Sequence, residues 1–239
     1  MNQPEIKQFA NAAETAKGFA SDLVEKINAG NTHIALSGGT TPNLLFDILA
    51  KEYSFNVKWH NAHLYWGDER CVPPFNPESN FLSAKNRLID HVAIPTENIH
   101  RIRGENDPQQ ESYRYSQRIK TLLPVKNGLP RFDVVILGLG TDGHTASIFP
   151  DQMDLLTTDD ICSTATHPES GQKRVTLTGR IINNAATVAF LVTGESKAQK
   201  ISLMLSNQKS RLDYPAGHIA PTNGKLIWYI DEVAGSSLK

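Results

Sequence analysis

Two cysteines are all that the 239 residues contain. Cys71 and Cys162 stand far apart without C-x-x-C spacing, which excludes a disulfide framework or a zinc ribbon and fits a reducing cytoplasm. No sign of charge prevails: 24 Lys and Arg face 25 Asp and Glu. A dedicated nucleic-acid binder carries a basic excess to neutralise phosphates, so that class falls away, whereas a small anionic ligand needs only a few local cations. Long apolar runs are missing as well. The longest, 134–139 and 185–192, fall far short of the ~20 residues that cross a bilayer. The opening stretch, MNQPEIKQFANAAETAK, mixes charges with apolar residues and lacks the continuous apolar core of a secretory signal. A cytoplasmic, membrane-free protein is expected. No internal repeat, low-complexity tract or long linker interrupts the chain, and no cluster of residues has metal-ligand spacing.

What is present suits one α/β domain, 1–239. A chain of this length buries roughly 70% or more of its unfolded surface without staples. Ile6, Phe9, Ala13, Ala16, Ala20, Leu23, Val24 and Ile27 recur at helical spacing, predicting an amphipathic helix that ends near Gly30 and covers a sheet. Short apolar runs at 33–36, 62–66, 132–137, 186–192 and 226–230 read as buried strands. Helical patterns fall between them at 42–53, 79–91, 108–123 with Asp107 as N-cap, and 196–205. Strands alternating with helices, each strand too uniformly apolar to have a wet face, predict a doubly wound, mostly parallel sheet with helices on both faces. The polar or Pro-rich stretches 71–77 and 150–171 read as surface loops or borders of a site.

Chemistry-bearing residues gather at the predicted strand ends, where ligands bind in such sheets. Ser37-Gly38-Gly39-Thr40-Thr41-Pro42 links the 33–36 strand to a helix. Its glycines let backbone N–H groups converge and the helix N-terminus favours an anion, so it fits a phosphate; a plain capped turn is the competing reading. After the strongest strand comes Gly138-Leu139-Gly140-Thr141-Asp142-Gly143-His144-Thr145-Ala146-Ser147-Ile148-Phe149-Pro150. It contains G-x-G-x-x-G, but Pro150 limits any following helix to about two turns, which argues against a dinucleotide site. The segment places His144 at a helix start with Asp142 two residues earlier. An imidazole there suits general-base work and the carboxylate suits orienting it, against the alternative of a cap or a core histidine.

Trp66-Gly67-Asp68-Glu69-Arg70 ends another strand, and Arg70 can hold a phosphate or carboxylate through two parallel N–H bonds. The plainer reading is a surface ion pair among Asp68, Glu69 and Arg70. Arg180 in Thr178-Gly179-Arg180 and Lys197 in Gly194-Glu195-Ser196-Lys197 are two further candidate anion-binding cations.

Together these segments resemble the 6-phosphogluconolactonases. The resembling stretches are ALSGGTTP, YWGDERCVPP with ESNF following, FDVVILGLGTDGHTASIFP and RVTLTGRIINNAATVAFLVTGESKA, and they span nearly the whole chain. That family is similar to the glucosamine-6-phosphate deaminases and ribose-5-phosphate isomerases, with a doubly wound α/β sheet. D-G-H-T-A-S-I-F-P and D-E-R stand where deaminases of the wider group carry N-G-H-I-A-F-N-E-P and D-E-Y, which favours the lactonase branch. Ile148 departs from a common Leu, and the tail YPAGHIAPTNGKLIWYIDEVA is only loosely similar.

The resemblance implies hydrolysis of 6-phospho-D-glucono-1,5-lactone to 6-phosphogluconate in the pentose phosphate pathway, without a metal or organic cofactor. It implies His144 as the base on water, with Asp142 positioning the ring or the substrate. Arg70 would face the phosphate or the oxyanion. Gly38, Gly39, Thr40, Arg180 and Lys197 would hold the phosphate, beside Ser37 and Asp68. A lactone is an ester strained toward hydrolysis, so a base and orientation suffice without a covalent nucleophile, and neither Ser37 nor Ser147 is needed as one. Two alternatives remain open at this level: a sugar-phosphate isomerase or deaminase using Asp68 as its carboxylate base, and a non-catalytic sugar-phosphate sensor, against which an intact His144 speaks. The sequence names no protein partner.

Overall fold

The computed structural model describes residues 4–206 and 208–238. Its main sheet uses β1 (Glu5–Phe9), β2 (Thr32–Leu36), β3 (Ala62–Trp66), β5 (Ile99–His100), β8 (Val134–Leu137), β11 (Thr187–Val192) and β12 (Lys225–Asp231). A second, three-stranded sheet joins β4 (Asp68–Arg70), β9 (Cys162–Thr166) and β10 (Lys173–Leu177), and β6 (Val125–Lys126) pairs with β7 (Leu129–Pro130). The helices are α1 (Ala12–Ala29), α2 (Thr40–Glu52), α3 (Asn80–Arg87), α4 (Pro108–Leu122), α5 (Gly179–Asn183) and α6 (Ala198–Leu205).

Every strand pairing in the main sheet is parallel, in the order β1-β12-β11-β8-β2-β3-β5. From β2 the chain steps outward to β3 and β5; it then returns to β8 on the other side of β2 and steps the opposite way to β11 and β12. Right-handed crossovers therefore place α1 to α3 on one face and α4 to α6 on the other. This is the doubly wound arrangement expected from the sequence. Strands covered on both faces must be apolar throughout, and all residues of β8 (VVIL) and β11 (TVAFLV) are buried. Phe190 of β11 and Trp228 of β12 stack at 4.0 Å, and the first helix covers the sheet: Ala16, Ala20, Leu23, Val24 and Ile27 of the predicted stripe are buried, Ala13 is exposed, and Phe19, outside the stripe, meets Tyr229 edge-on at 4.8 Å.

Three expectations change. Ile6 and Phe9 belong to β1, not to the first helix: Asn11 caps α1 by accepting the Glu14 N–H at 3.0 Å, and the preceding residues extend the sheet beside β12. The 150–171 stretch is no plain loop, since β9 forms within it and pairs with β10. No helix follows Gly143. Residues 143–149 make a tight turn closed by a Thr145–Ile148 bridge, with Ala146 at φ 49, because a left-handed residue and Pro150 leave no room for a helical turn.

Candidate active site

The chain reverses its direction of travel across the sheet between β2 and β8. At such a switch point the loops leaving adjacent strands diverge to opposite faces and open a crevice beyond the carboxyl ends. Both glycine turns leave from these two strands, and with the loops after β3 and β11 they border one cavity of about 370 Å³. That volume suits a single phosphorylated sugar. The Thr41 and Thr193 hydroxyls, 2.8 Å apart, tie the first loop to the last.

Ser37, Gly38, Gly39 and Thr40 line the cavity as expected. Gly39 is the N-cap of α2 at φ 118, in the region glycine tolerates, and no side chain caps the helix. The first N–H groups of α2 are thus left for a ligand, and the helix starts two residues earlier than its Pro42 suggests. Lys197 ends the short 3-10 turn Glu195–Lys197 on the adjoining loop and also lines the cavity. Burial lowers its pKa, with Asp142 pulling the other way.

The D-E-R motif sorts by strand alternation. Asp68 and Arg70 face the cavity. Glu69 points away, buried, and accepts from the Asn80 N–H (2.8 Å), the Phe81 N–H (2.8 Å) and the Ser79 hydroxyl (3.0 Å) at the start of α3. Burial raises its carboxyl pKa against the pull of those bonds. The surface ion-pair reading therefore does not describe this motif. Asp68 Oδ2 accepts from the Ser147 hydroxyl at 2.5 Å.

Arg180 is not brought to the site. It sits at the start of α5, pairs with Asp159, and is not among the residues lining the cavity. The guanidinium that arrives instead is Arg174, which β10 places directly opposite Arg70 of β4, so both project on the cavity face. Neither has a carboxylate within ion-pair distance among the described residues, and the Nε atoms of both are buried without a partner. Burial, and then the charge of Arg70, lower the pKa of Arg174. Arg70 Nη1 donates to the Glu78 carbonyl at 2.5 Å, and Asp68, Glu78 and Glu69 act on Arg174 only through space, so two adjacent, half-buried cations without an ion-paired carboxylate suit an anion. Arg174 opens the resembling stretch RVTLTGRIINNAATVAFLVTGESKA, but its place beside Arg70 has no local signal, because the β4–β10 pairing joins residues distant in sequence. His167, at the turn between β9 and β10, is a second cavity residue that motif reading missed.

His144 lines the cavity and its Nδ1 lies 2.6 Å from Asp142 Oδ1, which also accepts the His144 backbone N–H at 3.1 Å. Burial pushes the Asp142 carboxyl up, but the hydrogen bonds and charge of His144 outweigh it and hold its pKa below the ordinary value. An ionised carboxylate only accepts, so a proton sits on Nδ1, and in the neutral ring Nε2 carries the lone pair. Asp142 is not itself a lining residue. A side chain at Gly140 would collide with the His144 ring and the Asp142 carboxylate, which explains the second glycine of the turn. Among the described residues no three His, Cys, Asp or Glu side chains gather as metal ligands, and no helix is long and apolar enough to cross a membrane.

The sequence pattern described as glucosamine-6-phosphate isomerases/6-phosphogluconolactonase matches residues 7–228. The chain belongs to this family. It is 47% identical over 203 residues to the 6-phosphogluconolactonase of Haemophilus influenzae, covering 84% of this chain and 85% of that one. It is 44% identical over 232 residues to the 6-phosphogluconolactonase of Aggregatibacter actinomycetemcomitans, covering 96% and 98%. The solved 6-phosphogluconolactonase of Trypanosoma brucei superposes with a TM-score of 0.90 at 27% identity, over 100% of both chains.

Proposed function

We propose that this protein hydrolyses 6-phospho-D-glucono-1,5-lactone to 6-phospho-D-gluconate in the oxidative pentose phosphate pathway, with the chain acting as one catalytic domain in the cytoplasm. One observation carries the reading: an imidazole fixed as an Nε2 acceptor by a carboxylate 2.6 Å away stands in a sugar-sized cavity that also holds unneutralised cations. A lactonase needs that combination, a base for water and a grip on phosphate.

His144 Nε2 takes a proton from water as the water oxygen bonds to the lactone carbonyl carbon, and Asp142 stabilises the resulting imidazolium. The carbonyl oxygen becomes an oxyanion. When it collapses, the bond from that carbon to the ring oxygen breaks, and the imidazolium returns the proton to the departing oxygen. Ring opening yields the acid, which ionises. Lys197, Arg174 and the open N-terminus of α2 hold the phosphate. Arg70 faces the same cavity beside Arg174 and serves either the phosphate or the oxyanion. Ser147 is on the cavity wall, but it is 1% exposed and its hydroxyl is committed to Asp68 as a donor, which supports direct attack by water over a covalent intermediate. Asp68 also lines the cavity, so the deaminase reading has its carboxylate; the commitment of Oδ2 to Ser147 weighs against its use as a base.

The test is time-resolved NMR of freshly generated lactone with and without the protein. Ring opening well above the spontaneous rate is expected. Equal rates, or release of ammonia from glucosamine 6-phosphate in place of lactone opening, would overturn the proposal.

A further inference from the structure

His167 lines the cavity at the start of the turn that joins β9 to β10. The turn is closed by its own N–H donating to the Gln172 carbonyl and by the Gly171 N–H donating to the His167 carbonyl, both at 2.9 Å. Within it the backbone N–H groups of Glu169 and Ser170 converge on His167 Nδ1, at 3.3 and 3.2 Å. A nitrogen that receives two donors carries the lone pair, so the ring proton belongs on Nε2. No protein group among the described residues takes that Nε2–H.

The ring meets Phe149 edge-on at 5.2 Å, and the same phenyl ring packs against His144 at 5.0 Å. Two imidazoles thus flank one aromatic residue in the wall of a single cavity, and their surroundings fix them in opposite senses. His144 offers an acceptor at Nε2; His167 offers a donor at Nε2. A base that deprotonates water needs no second base beside it, whereas the oxygens of the lactone, which gain charge as water adds, need a donor.

We propose that His167 is a substrate-binding residue whose Nε2–H donates to an oxygen of the lactone ring, at the reacting end of the substrate and apart from the phosphate. No proton is transferred; the hydrogen bond tightens as charge develops on the oxygen. The proposal rests on the lactonase reading given above and deepens it.

Two substitutions separate this task from turn formation. In His167→Asn the amide oxygen replaces Nδ1 for the turn and nothing replaces Nε2. In His167→Gln the amide nitrogen reaches the Nε2 position and the acceptor for the turn is lost. His167→Asn is expected to lower kcat/KM by about 10- to 100-fold, the span for losing a hydrogen bond to an oxygen that becomes charged. The loss should be equal for the phosphorylated lactone and for unphosphorylated gluconolactone, and His167→Gln should recover part of it. An unaffected His167→Asn enzyme, or a His167→Gln enzyme as impaired as His167→Asn, would make His167 a turn residue and overturn the proposal. A loss confined to the phosphorylated substrate would overturn it too, by placing the contact on the phosphate. An inert wild-type protein would defeat the lactonase reading itself, whereas an active wild type with an unchanged Asn variant defeats only the role of His167.

Discussion

His144 Nδ1 sits 2.6 Å from Asp142 Oδ1, and the backbone between the β8 strand and this pair is glycine at position 140 because both side chains occupy the space a Cβ would need. The turn therefore sets ring orientation and proton position together.

Asp142→Asn should test that coupling. The amide keeps the size but can donate to Nδ1, which puts the ring proton on Nε2 and removes the acceptor that water requires. Turnover should fall by roughly 10²-fold or more while substrate binding changes little, as steady-state kcat and KM will show. A variant with normal kcat would mean that Asp142 does not set the tautomer.

Lys197→Ala and Arg174→Ala should each weaken use of the phosphorylated lactone by about 10- to 100-fold in kcat/KM, since hydrogen bonds to a charged group contribute about 1.5–3 kcal/mol. Unphosphorylated gluconolactone should be hardly affected. Arg180→Ala should behave as wild type on both, because its guanidinium is engaged with Asp159 outside the cavity. Equal sensitivity of both substrates to Lys197→Ala would place that lysine elsewhere.

A third expectation concerns stability. His33, His63 and His100 stack across β2, β3 and β5, with centroids 4.8 and 5.8 Å apart. Burial, followed by the charges of Arg118, His63 and His33, lowers His100 to about 3, and burial is also the main cause that lowers His33 and His63. In the unfolded chain these rings take up protons near pH 6.5. Below that pH the unfolded state binds protons the folded state refuses, so their contribution is fully present above about 6.5 and is lost as the pH falls toward 3. The melting temperature should drop between pH 7 and pH 5, and His100→Asn, which keeps an acceptor for Arg118, should flatten that drop. A melting temperature that is constant over this range would contradict the burial of these rings.

The parts legible in the sequence were those specified locally. Asp107 caps α4 through the N–H groups of Gln109 and Gln110, and Pro108 opens the helix, as the residues themselves announce. The five residues 62–66 form β3 at the boundaries read from their apolar run. Helical spacing extends the first helix too far because Ile6 and Phe9 fall on it by coincidence, while the cap at Asn11 is the stronger local signal. The second sheet has no local signal in the sequence because its strands are short, carry polar residues and depend on antiparallel partners, one of them distant in sequence. That pairing is also what replaces Arg180 by Arg174 as a cavity cation. His144, Asp142, Lys197 and the Gly38-Gly39 turn were legible because each lies on a loop whose residue types already limit its chemistry. Their convergence at one crevice follows from the strand order, which no local signal contains.

The measurement that bears most directly on the account is the turnover of His144→Asn, corrected for the spontaneous opening of the lactone. Asparagine keeps an amide near the Nδ1 position and removes the basic nitrogen. The account predicts a fall in kcat of roughly 10²–10⁴-fold, with native circular dichroism and a smaller change in substrate binding. Near-normal turnover in a natively folded His144→Asn protein would contradict it.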